Sequence, residues 1–462
     1  MTRKVERQQF FAPCAWLSDA GWQSNVLLDV EDGHFTRIES NALPTPQATL
    51  LQGPVLPTIA NVHSHSFQHL MAGLAEVSRN PNDSFWSWRD LMYKVVAKLT
   101  PNQVRIISTH LYIEMLKAGY TQVGEFHYLH HDRSGHAYFN PAEMVEQIYT
   151  SAQDSGIGLT LLPVLYSYSG FGGQPPSLGQ QRFIHSVDSY LNLQQQSEER
   201  LSGSEKHNLG LCFHSLRAVT QHQIEQVMAA FPQRDVIHIH ISEQQKEVRD
   251  CVDWCGQRPV EWLNRMIGLD SRWCLVHATH LNSNEIDAIA QSGAVVGLCP
   301  TTEANLGDGI FPAAAYQQKK GRWAIGSDSH VSLSIVDELR TLEYSQRLQQ
   351  QQRNRLSRPE QPYVGDSLYQ HALNGGNQGC GVNLGIQVGA RADFMTLDSS
   401  HPFIAASQAE DILNRWLFAS NINLIRDVYV AAKPVISQGH HPNEEPIRQA
   451  FIRVIKEVVY DI

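Results

Sequence analysis

The chain has 462 residues, 42% of them hydrophobic and 18% charged, which is enough to bury a large core and rules out a disordered majority. Its 36 basic and 46 acidic side chains leave a formal charge of −10, which argues against nucleic acid or an anionic membrane surface as the main partner. The start, Met1-Thr2-Arg3-Lys4-Val5-Glu6-Arg7, lacks the apolar run of a secretory signal, and no stretch of about 18 uncharged apolar residues occurs, so a soluble, cytoplasmic protein is expected.

Residues 1–54 hold short alternating segments, 8–16, 24–29 and 34–39, separated by Gly and Asp turns, and read as strands. From 55 onward, β-branched runs alternate with amphipathic helical stretches, the pattern of βα units around a parallel sheet. Eight strands are predicted, at 55–62, 121–127, 158–166, 209–215, 235–241, 272–277, 294–299 and 323–327. A helix over 100–117 opens with a Thr cap and Pro101 and closes at Gly119; another over 141–155 stops at Gly156. Eight such units predict an α/β chain folded as a TIM-type (β/α)8 barrel over 55–380.

The turn-rich segment 170–176 lies at the face where such barrels carry their sites and reads equally as a lid or as an ordinary surface loop. The glutamine runs 194–196 and 349–352 read as solvated helix faces. After the barrel, 388–397 and 427–436 alternate as the first segments do, so 1–54 and 381–440 are expected to combine into a small β-sandwich domain, followed by a C-terminal helix within 441–462. The seven cysteines are odd in number and scattered, which is no disulfide framework; Cys251 and Cys255 read as packing residues.

His63 and His65 stand where the first predicted strand meets a polar loop, and residues i and i+2 of an extended strand point to the same side. Alone, an HxH among 22 histidines is weak evidence for a metal. The barrel supplies an independent check, because its chemistry collects at the carboxyl ends of strands, and there the sequence also places His240, His277 and Asp328. Three imidazoles and one carboxylate, His63, His65, His240 and Asp328, suit a single zinc or ferrous ion, which lowers the pKa of water. Glu243, three residues past His240, is placed to carry a proton from water to a leaving nitrogen, and His277 to stabilise developing charge. His238 reads as a buried core histidine, His280 and His330 as supporting or solvated, and His127, His130, His131 and His136 as solvated.

The segments Asn61-Val62-His63-Ser64-His65, His240-Ile241-Ser242-Glu243-Gln244, Val276-His277-Ala278-Thr279-His280 and Gly326-Ser327-Asp328-Ser329-His330 together resemble the amidohydrolase superfamily, and its mononuclear deaminase branch in particular. Dinuclear members usually carry a carboxylated lysine at the end of the fourth strand; Leu211-Cys212-Phe213-His214-Ser215-Leu216 has none. Longer matches, His63-Ser64-His65-Ser66-Phe67-Gln68-His69, the run 299–309 and Asp328-Ser329-His330-Val331-Ser332-Leu333-Ser334, resemble the N-formimino-L-glutamate deiminases of histidine degradation. That resemblance implies a homodimeric hydrolase of C–N bonds with one divalent metal ion, zinc or iron, making N-formyl-L-glutamate and ammonia. It also implies substrate contacts at Gln68, Arg89, Tyr128, His214 and Arg217. Guanidinium forks are natural clamps for a dicarboxylate entering a chain of net negative charge. The rival readings are a deaminase of an aminoheterocycle such as guanine, and a catalytically dead barrel serving as a binding scaffold.

Overall fold

Eight parallel strands lie side by side in sequence order: β1 (Ile59–Ser64), β2 (Tyr120–His127), β3 (Gly158–Leu165), β4 (Leu211–Ser215), β5 (Ile237–Ile241), β6 (Trp273–His277), β7 (Val295–Leu298) and β8 (Arg322–Ile325). The computed structural model describes residues 5–77 and 84–460, so 1–4 and 461–462 of the expected terminal segments lie outside the described residues. Almost every residue of these strands is buried, because helices cover the outer face of a parallel sheet while side chains fill its interior. β8 returns to β1 through a parallel bridge between Ser64 and Asp328, which brings the last strand end against the first.

The helices follow their local signals. α1 (Phe85–Val96) starts at the Ser84 cap; α2 (Pro101–Lys117) starts at Thr100, whose hydroxyl accepts from the Gln103 amide while the Gln103 side chain accepts from the Thr100 N–H. The helix predicted over 141–155 runs from Glu143 to Ser155 and stops at Gly156 in the left-handed region, φ 84°.

The two chain ends form a second, mixed sheet, ordered Lys433–Ile436, Ile425–Val430, Phe394–Leu397, Val55–Pro57, Arg7–Leu17, Gly21–Glu31, His34–Glu39. Its core is aromatic: Phe394 stacks on Tyr429 at 4.5 Å and meets Phe10 edge-on at 5.2 Å. Two predicted strands divide. The run 55–62 splits at Thr58, so that Val55–Pro57 pairs with Phe394–Leu397 in the terminal sheet and only Ile59–Ser64 enters the barrel. The segment 427–436 holds a hairpin rather than one strand, turning at Ala431 and Ala432, both at positive φ. Gln194 is also corrected: it is buried, and its amide donates to Tyr190 and to the Gly210 carbonyl.

A buried ion pair fastens the two sheets. Arg391 grips Asp393 with Nε at 2.9 Å and Nη2 at 2.6 Å, and also reaches Gln122 on β2. Removing one partner of such a pair strands the other charge away from water, so Arg391→Met is expected to cost on the order of 3–5 kcal/mol in denaturant unfolding. The double variant Arg391→Met/Asp393→Leu should recover part of that loss. Among the described residues, no helix is long and apolar enough to cross a membrane.

Candidate active site

The site is assembled where β8 closes on β1. Asn61 clasps the seam: its amide donates to the Ser327 hydroxyl at 2.6 Å, and its carbonyl oxygen accepts from the backbone N–H of Ser327 at 3.1 Å and of His63 at 3.2 Å. Gly326 lets the strands meet, since a Cβ there would lie 2.8 Å from the Cβ of His63. At the strand ends Ser242, His277 and Asp328 all take positive φ, a conformation costly for residues with side chains and concentrated here around one point.

The four predicted ligands converge on that point. Nε2 of His63 lies 3.1 Å from that of His65 and 3.0 Å from that of His240; the His65 and His240 nitrogens are 3.3 Å apart. Asp328 Oδ1 stands 3.4 Å from both His63 and His65. Ligands held tetrahedrally at zinc-like bond lengths are roughly 3.4 Å apart, close to these spacings. Protonation states point the same way. Nδ1 of His65 donates to the Phe126 carbonyl at 2.8 Å and Nδ1 of His240 to the His214 carbonyl at 3.0 Å. Burial, above all, disfavours charge on the imidazoles, pushing His63 to about 3 and lowering His65 and His240. Each committed Nδ1–H leaves an Nε2 lone pair facing the others beside a carboxylate. Such a cage of acceptors, largely buried at the floor of a cavity, is stable around a cation, so the donor set fits a divalent metal.

Glu243 and His277 flank the cage. Glu243 is buried, which is the main reason its pKa rises to about 7, and Oε1 lies 4.0 Å from His277 Nε2. Burial opposes charge on His277, but Glu243, a hydrogen bond to Glu303 and Asp328 outweigh it and lift its pKa to about 10. Two carboxylates that the sequence reading did not assign hold these groups in place. Glu303 meets His277 Nδ1 at 3.3 Å and accepts from the Cys299 N–H at 2.9 Å; Glu247 accepts from the backbone N–H of Ser242 at 3.1 Å and of Glu243 at 3.2 Å. Each stands in the first turn of its helix, the one signal that marks it.

The five residues assigned by resemblance to substrate contact, Gln68, Arg89, Tyr128, His214 and Arg217, line one cavity with the cage. Gln68 Nε2 donates to the Tyr128 hydroxyl at 2.9 Å, leaving its Oε1 buried without a partner. His214 is kept neutral chiefly by burial, and its ring lies 5.1 Å from His240. The Nε atoms of Arg89 and Arg217 are buried without a hydrogen-bond acceptor, and neither guanidinium joins an ion pair among the described residues. Arg89 is held on α1 over the rings of Trp86, at 4.6 Å, and Tyr93, at 5.5 Å.

Other histidines sort differently from expectation. His238 is the core histidine predicted, its Nε2 bonded to the Gly379 carbonyl at 2.7 Å. His127 and His130 are buried and His131 half-buried, not solvated: the loop after β2 folds onto residues 182–185, where the His130 and His131 amides share the Arg182 carbonyl. His136 is exposed as expected, and His330 is buried between Ser327 and Ser64. All seven cysteines are free. In the segment 170–176, Phe171 stacks on Trp254 at 5.5 Å.

A nearly closed ring of parallel strands with histidine and aspartate gathered at the carboxyl ends has the form of a hydrolase site able to hold a metal, and the chain belongs to the amidohydrolase family, whose pattern matches residues 55–435. It is 53% identical over 97% of its length, and 99% of the other's, to the formimidoylglutamate deiminase of Pseudomonas aeruginosa. An amidohydrolase from Brucella melitensis has the same fold, with a TM-score of 0.93 and 43% identity over 98% of this chain and 100% of that one. A 5-methylthioadenosine/S-adenosylhomocysteine deaminase of Natronomonas pharaonis is 24% identical over 89% of this chain and 88% of its own.

Proposed function

We propose that this chain hydrolyses N-formimino-L-glutamate to N-formyl-L-glutamate and ammonia, a step of histidine degradation. The observation that carries the reading is a pair of half-buried arginines, Arg89 and Arg217, whose Nε donors are buried and unused in the cavity that holds the histidine cage. A substrate with two carboxylates satisfies them; a flat, neutral heterocycle leaves the buried Nε donors unpaired, which is costly. The 53% identity to the Pseudomonas aeruginosa deiminase along nearly the whole of both chains supports the same substrate.

His63, His65, His240 and Asp328 would hold the metal, zinc by choice of donor set, with ferrous iron suited to the same ligands. When bound, it acts as a Lewis acid that brings the pKa of water toward about 7. The chain's own residues do the rest. Arg89 and Arg217 fix the carboxylates, while Gln68, Tyr128 and His214 shape the wall between them and the formimino group. Glu243, poised near neutrality by burial, takes a proton as water adds to the formimino carbon and returns it to the terminal nitrogen. His277, oriented by Glu303, donates to the tetrahedral species. The hydroxyl of the tetrahedral species then gives up its proton, which Glu243 passes to the same nitrogen; the carbon–nitrogen bond breaks, the formyl C=O forms and ammonia leaves. A homodimer in the cytoplasm belongs to the same proposal, and sedimentation of the purified chain tests the dimer.

The deciding experiment is ammonia release by the metal-loaded protein from formiminoglutamate, guanine and adenosine. Turnover is expected only with the first; turnover with a purine alone would overturn the substrate assignment.

A further inference from the structure

Two tyrosines in the cavity have no part in the scheme above. Tyr166 follows β3, its ring 4.3 Å from His214, and Tyr93 lies on α1 beside Arg89. Gln180, itself buried, meets the Tyr166 hydroxyl. Its Oε1 accepts from the Ser177 N–H at 2.7 Å and the Ser177 hydroxyl at 3.0 Å. That backbone donor fixes which end of the amide faces which way, since the reverse orientation would set one N–H against another. The NH2 group therefore faces Tyr166, donating to its Oη at 2.7 Å, while the Tyr93 ring lies against the neighbouring residue of the same loop. Gly179 seats the loop against Tyr93, where a Cβ would come within 2.9 Å of the ring carbon Cδ2.

A phenol oxygen that accepts from Gln180 must send its own hydrogen elsewhere. Among the described residues no acceptor takes the hydrogen of either hydroxyl. Burial, above other influences, raises both phenols, so the hydrogens stay in place at neutral pH. Two donors thus stand unused in the cavity that contains two unused guanidiniums. The geometry points to Tyr93 and Tyr166 as hydroxyl donors to the substrate's side-chain carboxylate, beside Arg89 and Arg217, with Gln180 as the positioning residue that turns the Tyr166 hydroxyl toward it. This rests on the dicarboxylate reading of the substrate, and it makes the reach to that carboxylate a determinant of chain-length selectivity.

The test uses the metal-loaded enzyme and the variants Tyr93→Phe/Tyr166→Phe and Gln180→Glu. KM and kcat are measured on N-formimino-L-glutamate and on N-formiminoglycine, which lacks the second carboxylate, and glutarate binding is followed by calorimetry. Losing hydrogen bonds to a charged group should raise KM for the glutamate substrate and Kd for glutarate by roughly ten-fold or more. kcat should fall far less, and N-formiminoglycine should be much less affected. Gln180→Glu keeps the shape but accepts the Tyr166 hydrogen and adds a negative charge, so it should shift KM and Kd in the same direction as the double variant. Unchanged KM and Kd, or equal losses on both substrates, would overturn the assignment. A wild-type protein that leaves formiminoglutamate untouched yet binds glutarate through these tyrosines would sink the substrate reading and leave the anchor standing.

Discussion

Glu243→Gln is expected to keep the fold and the bound metal while lowering kcat by about 10²–10⁴-fold, the usual worth of a positioned proton carrier. Gln has the same shape, and the backbone at this position is held by Glu247, which accepts from the N–H groups of Ser242 and Glu243 independently of the Glu243 side chain. What the amide lacks is a proton that can come and go near neutrality, the property burial gives the Glu243 carboxyl by raising its pKa to about 7. KM should move little, because the carboxylate clamps are elsewhere in the cavity. The measurement is steady-state kinetics on formiminoglutamate with metal content determined on the same sample. A variant with full metal and near-normal kcat would take Glu243 out of the proton path.

The ligand set was legible because the barrel imposes a rule that sequence can express: chemistry belongs at strand ends, and His63, His65, His240, His277 and Asp328 all fall at or just past the ends of predicted strands. The supporting groups were less legible because they come from other elements. Glu303 and Glu247 look like acidic residues in the first turns of two helices, and nothing local says that one carboxylate faces His277 while the other holds the loop after β5. Gln180 sits on a three-residue 3₁₀ turn, and its role depends on Tyr166, fourteen residues back and just past the end of β3. The same non-locality misled the reading of His130 and His131, whose loop has a solvated composition but is buried by contact with residues 182–185. At the termini, the hydrophobic pattern of 55–62 is continuous across Thr58, although the chain there passes from one sheet to another. Periodicity records burial, and both sheets bury their strands alike.

Removing the metal should abolish turnover without unfolding the barrel, and one equivalent of zinc should restore both activity and the lost thermal stability. His63 and His240 lie on strands and His65 directly follows one, all among packed neighbours, and the Asn61 clasp across the seam does not involve the metal, so the apo chain keeps its fold. It does not keep its full stability. Three imidazole nitrogens 3.0, 3.1 and 3.3 Å apart, two of them with Nδ1–H committed to backbone carbonyls, set lone pair against lone pair beside Asp328 when no cation separates them. Binding to the folded state alone adds about 4 kcal/mol when free metal is a thousand times its dissociation constant, a shift that calorimetry resolves as a raised Tm. His240→Ala removes one donor from the cage and should lower both metal content and the zinc-dependent rise in Tm while leaving the apo Tm nearly unchanged. A protein that takes up two equivalents, or whose activity survives exhaustive chelation, would contradict a single-ion cage built from these four side chains.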